Sequence, residues 1–414
     1  MVDRHHLRIG LLGQSLKHSY SPQIHAALSG AYSYELFEVE PGDLENFMQC
    51  ADWHGINVTI PYKQAVVSYC DELSKAAKSI GSVNTIVRRA DGSLYGDNTD
   101  AAGFALMLQK SGMTVSGSKA LVLGSGGSSL AVSHMLRLCG AREVVTISRR
   151  GENNYENIGR HANADVLINT TPLGMYPNVG TAAVDMRKFP NVSGVLDIVY
   201  NPARTALMLD AEVAKIQHIC GGLPMLIGQA ARAAEIFTEQ SIANETVDAV
   251  LRDMEIKAQN IIIIGMPGSG KSTIARTLAQ QLGRPLIDTD TEVTEAIGMT
   301  PGEMIQREGE DAFRARETEV LARFGKQTGL VIATGGGVVT REENYRHLRQ
   351  NGVIVFLERP VSWLARKDRP LSQGDIYQLH RQRLPMYRRF ANATVKNDGK
   401  REVVAEAVLR ACFP

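Results

Sequence analysis

Two glycine-rich turns in this chain have the spacing that binds phosphate. The second is the plainer: Gly265, Pro267, Gly268, Ser269, Gly270, Lys271, Ser272 and Thr273 lie in a GxxxxGKS run between four isoleucines and a helical stretch. Such a loop wraps backbone N–H groups around phosphate, sends its lysine to the β- and γ-phosphates, and offers its Ser hydroxyl to Mg²⁺. It implies a nucleoside triphosphate without saying what receives the phosphoryl group. The first turn, Gly124-Ser125-Gly126-Gly127-Ser128, also separates an apolar run from a helical one. Glycines there let the backbone approach a pyrophosphate at a helix N-terminus. The next strand-like run ends in Arg149 and Arg150, and no acidic residue stands there to take a ribose 2′-hydroxyl. Two guanidinium groups suit a 2′-phosphate, so the turn reads as a site for NADP; a plain turn followed by a solvated charge pair is the bland alternative.

The elements that must hold these turns are legible as a pattern. The runs LRIGLLG, KALVLGSGG, VVTIS, ADVLINTT, GVLDIVY, NIIIIGM, LVIATGGG and GVIVFLE read as strands, each followed by a stretch of helical period. That alternation predicts an α/β chain with parallel sheets. Two glycine turns imply two nucleotide-binding sheets, and the boundary is expected in the unpunctuated stretch 253–259.

With 414 residues there is room for two or three cores. Apolar residues are 44% and charged residues 21%, the globular range, which excludes disordered and coiled-coil chains. Forty-five Lys/Arg balance 44 Asp/Glu, so no polyanion-binding field is built in and nucleic acid is not an expected partner. No apolar run approaches the ~20 residues of a membrane span, and the opening MVDRHHLRIGLLG lacks an export signal. The five cysteines are scattered without a CxxC pair, against a disulfide framework or zinc site. A cytoplasmic protein without membrane partners is expected.

Upstream of the first turn, HSYSPQIHAAL, GINVTIPYK, GSVNTI and YGDNTDAAGF are dense in small polar groups at strand ends. Downstream lie INTTPLGM, DIVYNPARTALM and GGLPMLIGQAARAAEIF. Together these runs closely resemble the shikimate dehydrogenase family over about residues 7–250. The resemblance implies a two-lobed fold with a Rossmann NADP lobe (102–229) and a substrate lobe from 1–101 plus 230–252. It places Ser19 and Ser21 on the substrate carboxylate, with Asn57, Thr59, Asn84 and Gln229 around the ring. Tyr200 lines the cleft. Lys63 and Asp100 meet at the reacting carbon, where a lysine held by a carboxylate can stabilise and protonate an alkoxide; either of the pair could move the proton. One departure stands out: Leu130 occupies the place where the family carries Arg near the cofactor.

Beyond the second turn, PLIDTDTEV, DAFRARE, VIATGGGVV, KDRPL and RQRLPMYRR resemble shikimate kinase across 260–414. On that resemblance the domain is a P-loop α/β fold with a parallel sheet and a lid over about 364–378. Asp290 holds the acceptor hydroxyl, Ser272 binds Mg²⁺ with Asp288 assisting its shell through water, and Arg314 and Arg383 grip the substrate carboxylate. Gly335, Gly336 and Gly337 lie against the ring, and Arg369 in the lid covers the phosphates of ATP. The basic stretch 364–390 could alternatively be a solvated face. Two resemblances converge on one metabolite: reduction of 3-dehydroshikimate to shikimate by NADPH, then phosphorylation of shikimate by ATP. A dehydrogenase that also takes quinate, and a regulator with one inactive half, are the rival readings. Oligomeric state is left open.

Overall fold

The computed structural model describes residues 7–16, 19–49, 52–364 and 376–413. They form three sheets. The first contains β1 (Arg8–Gly13), β2 (Ser33–Glu38), β3 (Gly55–Val58), β4 (Glu72–Leu73), β5 (Thr85–Arg88) and β6 (Leu94–Asp97), in the order β2-β1-β3-β5-β6-β4. The second contains β7 (Lys119–Leu123), β8 (Glu143–Ile147), β9 (Val166–Asn169), β10 (Gly194–Asp197) and β11 (His218–Cys220), ordered β11-β10-β9-β7-β8. The third contains β12 (Asn260–Ile264), β13 (Leu286–Asp288), β14 (Val331–Ala333), β15 (Gly352–Glu358) and β16 (Ala393–Lys396), ordered β13-β14-β12-β15-β16.

The second and third sheets are parallel throughout, as the alternating pattern predicts. The first is mixed. β5 runs antiparallel to both β3 and β6. The cause is local: Gly92, at φ +87°, and Asp91, whose carboxylate accepts from the Ser93 N–H at 2.9 Å, turn the chain between β5 and β6. An Asp-Gly pair between apolar runs is a hairpin signal.

Why four isoleucines make β12 follows from its place. It lies between β14 and β15 with helices on both faces, so every side chain is buried. Ile262 and Ile264 pack with Phe356 and Tyr387 on one face; Ile261 and Ile263 pack with Leu278 and Val408 on the other. The glycine turn after β7 and the loop after β12 each leave a central strand at its carboxyl end, beside the point where strand order reverses. Open α/β sheets bind ligands there.

The chain divides into two compact units. The first takes in the described residues up to Met175, then Gly180–Tyr200 and Asp210–Met254. The second takes in Tyr176–Val179, Asn201–Leu209 and the described residues from Glu255. The stretch expected as a linker, 253–259, is for the most part the end of a helix, Asn244–Ala258, and the division falls inside it. No helix among the described residues is long and apolar enough to cross a membrane.

Within the first unit, helix Asp100–Ser111 crosses helix Leu223–Thr238 at close range. Two glycines allow this. A Cβ on Gly103 would strike the Met225 carbonyl, and one on Gly228 would lie 3.0 Å from the Gly103 Cα. The crossing brings the start of one helix, Asp100, towards Gln229 on the other.

Candidate functional site

In the first unit, Lys63 follows β3 and Asp100 opens its helix. Lys63 Nζ donates to Asp100 Oδ2 at 2.5 Å, with the side chains 12% and 1% exposed. A nearly sealed ion pair needs its remaining oxygen satisfied, and Asn84 Nδ2 donates to Asp100 Oδ1 at 2.9 Å. The same nitrogen lies 3.4 Å from Gln229 Oε1. Asn84 Oδ1 accepts from the Thr99 N–H at 2.7 Å. Lys63, Asp100, Asn84 and Gln229 therefore form one bonded group, drawn from four separate segments.

Asn57, on β3, joins that group through Thr85, to whose Oγ1 its Nδ2 donates at 3.0 Å. Thr59 sits at the end of β3, its N–H bonded to the Leu12 carbonyl at 2.9 Å. Ser19 accepts from the Ser21 N–H at 3.2 Å at the start of helix Ser21–Leu28. The Tyr200 ring lies 5.2 Å from that of Tyr20, and burial, with Tyr20 beside it, pushes the Tyr200 hydroxyl up to about 12.

The glycine turn touches this group directly. A Cβ on Gly127 would lie 3.2 Å from both Cβ and Cδ of Lys63, and Ser128 Oγ is 3.5 Å from Lys63 Nζ. Gly124 takes φ +114° against Thr170 and Thr171, with Ser125 and Gly126 leading into helix Gly127–Leu138. Arg149 and Arg150 follow β8 and are exposed. Leu130, in the position of the missing Arg, packs inward against Ile80, Ala101 and Ala131.

The second site is built on β12. Gly265, Gly268 and Gly270 have φ of +151°, +80° and +93°, with Pro267 and Ser269 between them. Asn397 Nδ2 braces the turn by donating to the Ser269 carbonyl at 2.6 Å. Lys271 is buried, and its Nζ donates to the Gly265 and Met266 carbonyls at 3.0 and 3.1 Å. Ser272 Oγ donates to Asp288 Oδ2 at 2.6 Å, and Asp288 Oδ1 accepts from the Asp290 N–H at 3.2 Å. Thr273 continues the helix Lys271–Leu282.

A few residues away, the glycine run meets the arginines. A Cβ on Gly335 would lie 2.9 Å from Asp290 Oδ1 and would strike Glu317; one on Gly337 would strike the Arg314 guanidinium. Arg383 Nη1 donates to the Gly336 carbonyl at 3.1 Å, and so does the Tyr387 hydroxyl. Asp290, Arg314 and Arg383 thus gather along the Gly335–Gly337 run. Glu317 was not among the expected residues. It is fully buried, bonds Arg314 at 2.8 Å, and lies one helical turn further on in DAFRARE, a spacing that makes neighbours on one face. Burial pushes its carboxyl up, with Arg314 opposing. Arg369 and most of the expected lid lie outside the described residues; Leu364 and Ile376, on either side, are buried in the core.

Comparison with known proteins matches both halves. A model of the shikimate dehydrogenase substrate binding domain matches residues 11–86. The NADP(+) shikimate dehydrogenase of Clostridium beijerinckii is 40% identical over 257 residues, covering 57% of this chain and 93% of that protein. The chain belongs to the shikimate dehydrogenase family. Among solved structures, shikimate dehydrogenase 1 of Peptoclostridium difficile superposes with TM-score 0.57 at 33% identity, covering 60% of this chain and 97% of that one. A quinate dehydrogenase of Corynebacterium glutamicum, in complex with NAD, follows at TM-score 0.54 and 27% identity, covering 60% and 99%. A shikimate kinase model matches residues 267–413. A shikimate dehydrogenase is here joined to a shikimate kinase domain.

Proposed function

We propose that this chain reduces 3-dehydroshikimate to shikimate with NADPH, and then phosphorylates shikimate with ATP. The observation that carries the first step is the sealed Lys63–Asp100 pair with the glycine turn laid against it. NADPH, when bound at that turn, supplies the hydride. Lys63 then stands at the oxygen of the reduced ketone, where an ammonium stabilises the developing alkoxide and hands over a proton. Asp100 holds the lysine in place. Asn84, Gln229, Asn57 and Thr59 read the ring hydroxyls, Ser19 and Ser21 hold the carboxylate, and Tyr200 closes the cleft. Arg149 takes the 2′-phosphate and Arg150 lies beside it.

For the second step, the residues fit Mg²⁺: a hydroxyl and a carboxylate oxygen, both hard ligands, lie 2.6 Å apart on Ser272 and Asp288. Mg²⁺ there neutralises phosphate charge. The loop N–H groups and Lys271 hold the triphosphate, Asp290 orients the acceptor hydroxyl, and Arg314 and Arg383 take the substrate carboxylate. Cytoplasmic placement fits the free state of Cys70, Cys139, Cys220 and Cys412.

A coupled assay tests the whole reading. With dehydroshikimate, NADPH and ATP, NADPH oxidation should be followed by ADP release; added shikimate alone should release ADP without NADPH. ADP release that ignores shikimate would overturn the kinase assignment.

A further inference from the structure

One aromatic cluster in the first unit has no place in the reactions above. His25, fully buried on helix Ser21–Leu28, stacks on Tyr34 with ring centroids 4.0 Å apart and planes 12° apart. Its Nδ1 lies 2.6 Å from the Tyr32 hydroxyl. The Tyr34 hydroxyl donates to Asn57 Oδ1 at 2.7 Å and meets the Ser21 hydroxyl on its other side. It thus touches two residues assigned to the substrate.

Proton accounting gives this contact a direction. The Thr99 backbone N–H can only donate, so Asn84 turns its Oδ1 towards it, at 2.7 Å, and its Nδ2 towards the Asp100 carboxylate, at 2.9 Å. Asn84 Oδ1 then faces the Thr85 and Thr99 hydroxyls, at 3.2 Å each. The single Thr85 proton is committed to Asn84 or to Thr99, 3.3 Å away. The Asn84 backbone carbonyl, which can only accept, lies 3.4 Å from one end of the Asn57 amide, so that end is Nδ2, and it also donates to Thr85 Oγ1 at 3.0 Å. Asn57 Oδ1 is left to face Tyr34, and Tyr34 must donate. Both amides in the row Tyr34–Asn57–Thr85–Asn84–Asp100 thus have one allowed orientation.

We propose that Tyr34, clamped by His25, is a positioning residue that fixes the Asn57 amide for reading the dehydrogenase substrate. This rests on the assignment of Asn57 to the substrate made above. The Asn57 amide meets the ligand in this orientation only while both of its ends are held, the nitrogen by Thr85 and the Asn84 carbonyl and the oxygen by Tyr34. Without the Tyr34 hydroxyl the amide loses the bond that holds its oxygen end, and the substrate must supply that ordering itself.

The test uses the full chain, oxidising shikimate with NADP. A net hydrogen bond contributes ~0.5–1.5 kcal/mol, about two- to tenfold in binding. Tyr34→Phe should raise KM for shikimate by about three- to tenfold, with kcat within about twofold and KM for NADP unchanged. In an Asn57→Ala background the same substitution should add less than about twofold, because the group it positions is gone. An unchanged KM for shikimate, or an equal added loss in the Asn57→Ala background, would overturn the proposal. If Asn57→Ala by itself leaves KM unchanged, the substrate assignment of Asn57 fails, and the positioning role fails with it. The unchanged KM for NADP separates these effects from a misfolded unit.

Discussion

Gly127 lies so close to Lys63 that a methyl group on it would sit 3.2 Å from both Cβ and Cδ of the lysine. The turn expected to hold the cofactor and the lysine expected to serve the substrate are packed together. That contact is tighter than ordinary packing, and shifting the lysine would strain its 2.5 Å bond to Asp100. Small misplacements at a reacting centre are costly in rate. Gly127→Ala should lower kcat for shikimate oxidation by about tenfold or more, while phosphorylation of shikimate proceeds at the parent rate. Steady-state kinetics of both reactions on one preparation checks this; parental dehydrogenase activity would show that the lysine can give way.

The two activities should separate by point substitution. Lys63→Ala removes the group placed at the alkoxide, and such groups supply ~10²–10⁴-fold; phosphorylation of added shikimate should be untouched. Asp290→Asn should do the reverse, so that NADPH is consumed normally and shikimate accumulates. Parental thermal midpoints must accompany both results. Loss of both activities in a folded variant would contradict two independent sites.

Cofactor choice should depend on Arg149, exposed after β8. Charge-assisted hydrogen bonds contribute ~1.5–3 kcal/mol. Arg149→Ala should raise KM for NADPH by about ten- to a hundredfold and change that for NADH little. Equal losses with both cofactors would make Arg149 structural.

Acid should destabilise the first unit through His25. Burial pushes this imidazole down to about 3, with the Asn57 amide opposing. The native chain therefore keeps His25 neutral, while the unfolded chain takes up a proton below the ordinary value near 6.5. Its contribution is intact above 6.5 and is lost progressively as pH falls towards 3, by up to ~1.4 kcal/mol per pH unit. Urea unfolding of parent and His25→Asn between pH 7.5 and 5 should show a shallower pH dependence in the variant. Parallel slopes would mean that His25 protonates in the folded state.

Local chemistry was legible in the residues themselves. A GxxxxGKS loop after four isoleucines reads as a phosphate loop because the donors it would use are its own backbone N–H groups, and β12 is buried because four of its five side chains are isoleucine. The hairpin between β5 and β6 was equally local, marked by Asp91 and Gly92, though the alternating pattern alone points to parallel strands. Other features belong to the tertiary structure alone. Lys63 and Asp100 are 37 residues apart, and Asn84 and Gln229 are 145 apart. Nothing in either segment shows that they bond; family resemblance can name such residues but not their geometry. Glu317, Tyr34 and His25 went unassigned because a buried carboxylate, tyrosine or histidine looks like any other until its partners are known. The polarity of the row from Tyr34 to Asp100 depends on which donor faces which acceptor. Only the packing of the two glycine-notched helices and the first sheet decides that, because hydrogen bonds are short-ranged and sequence separation says nothing about distance.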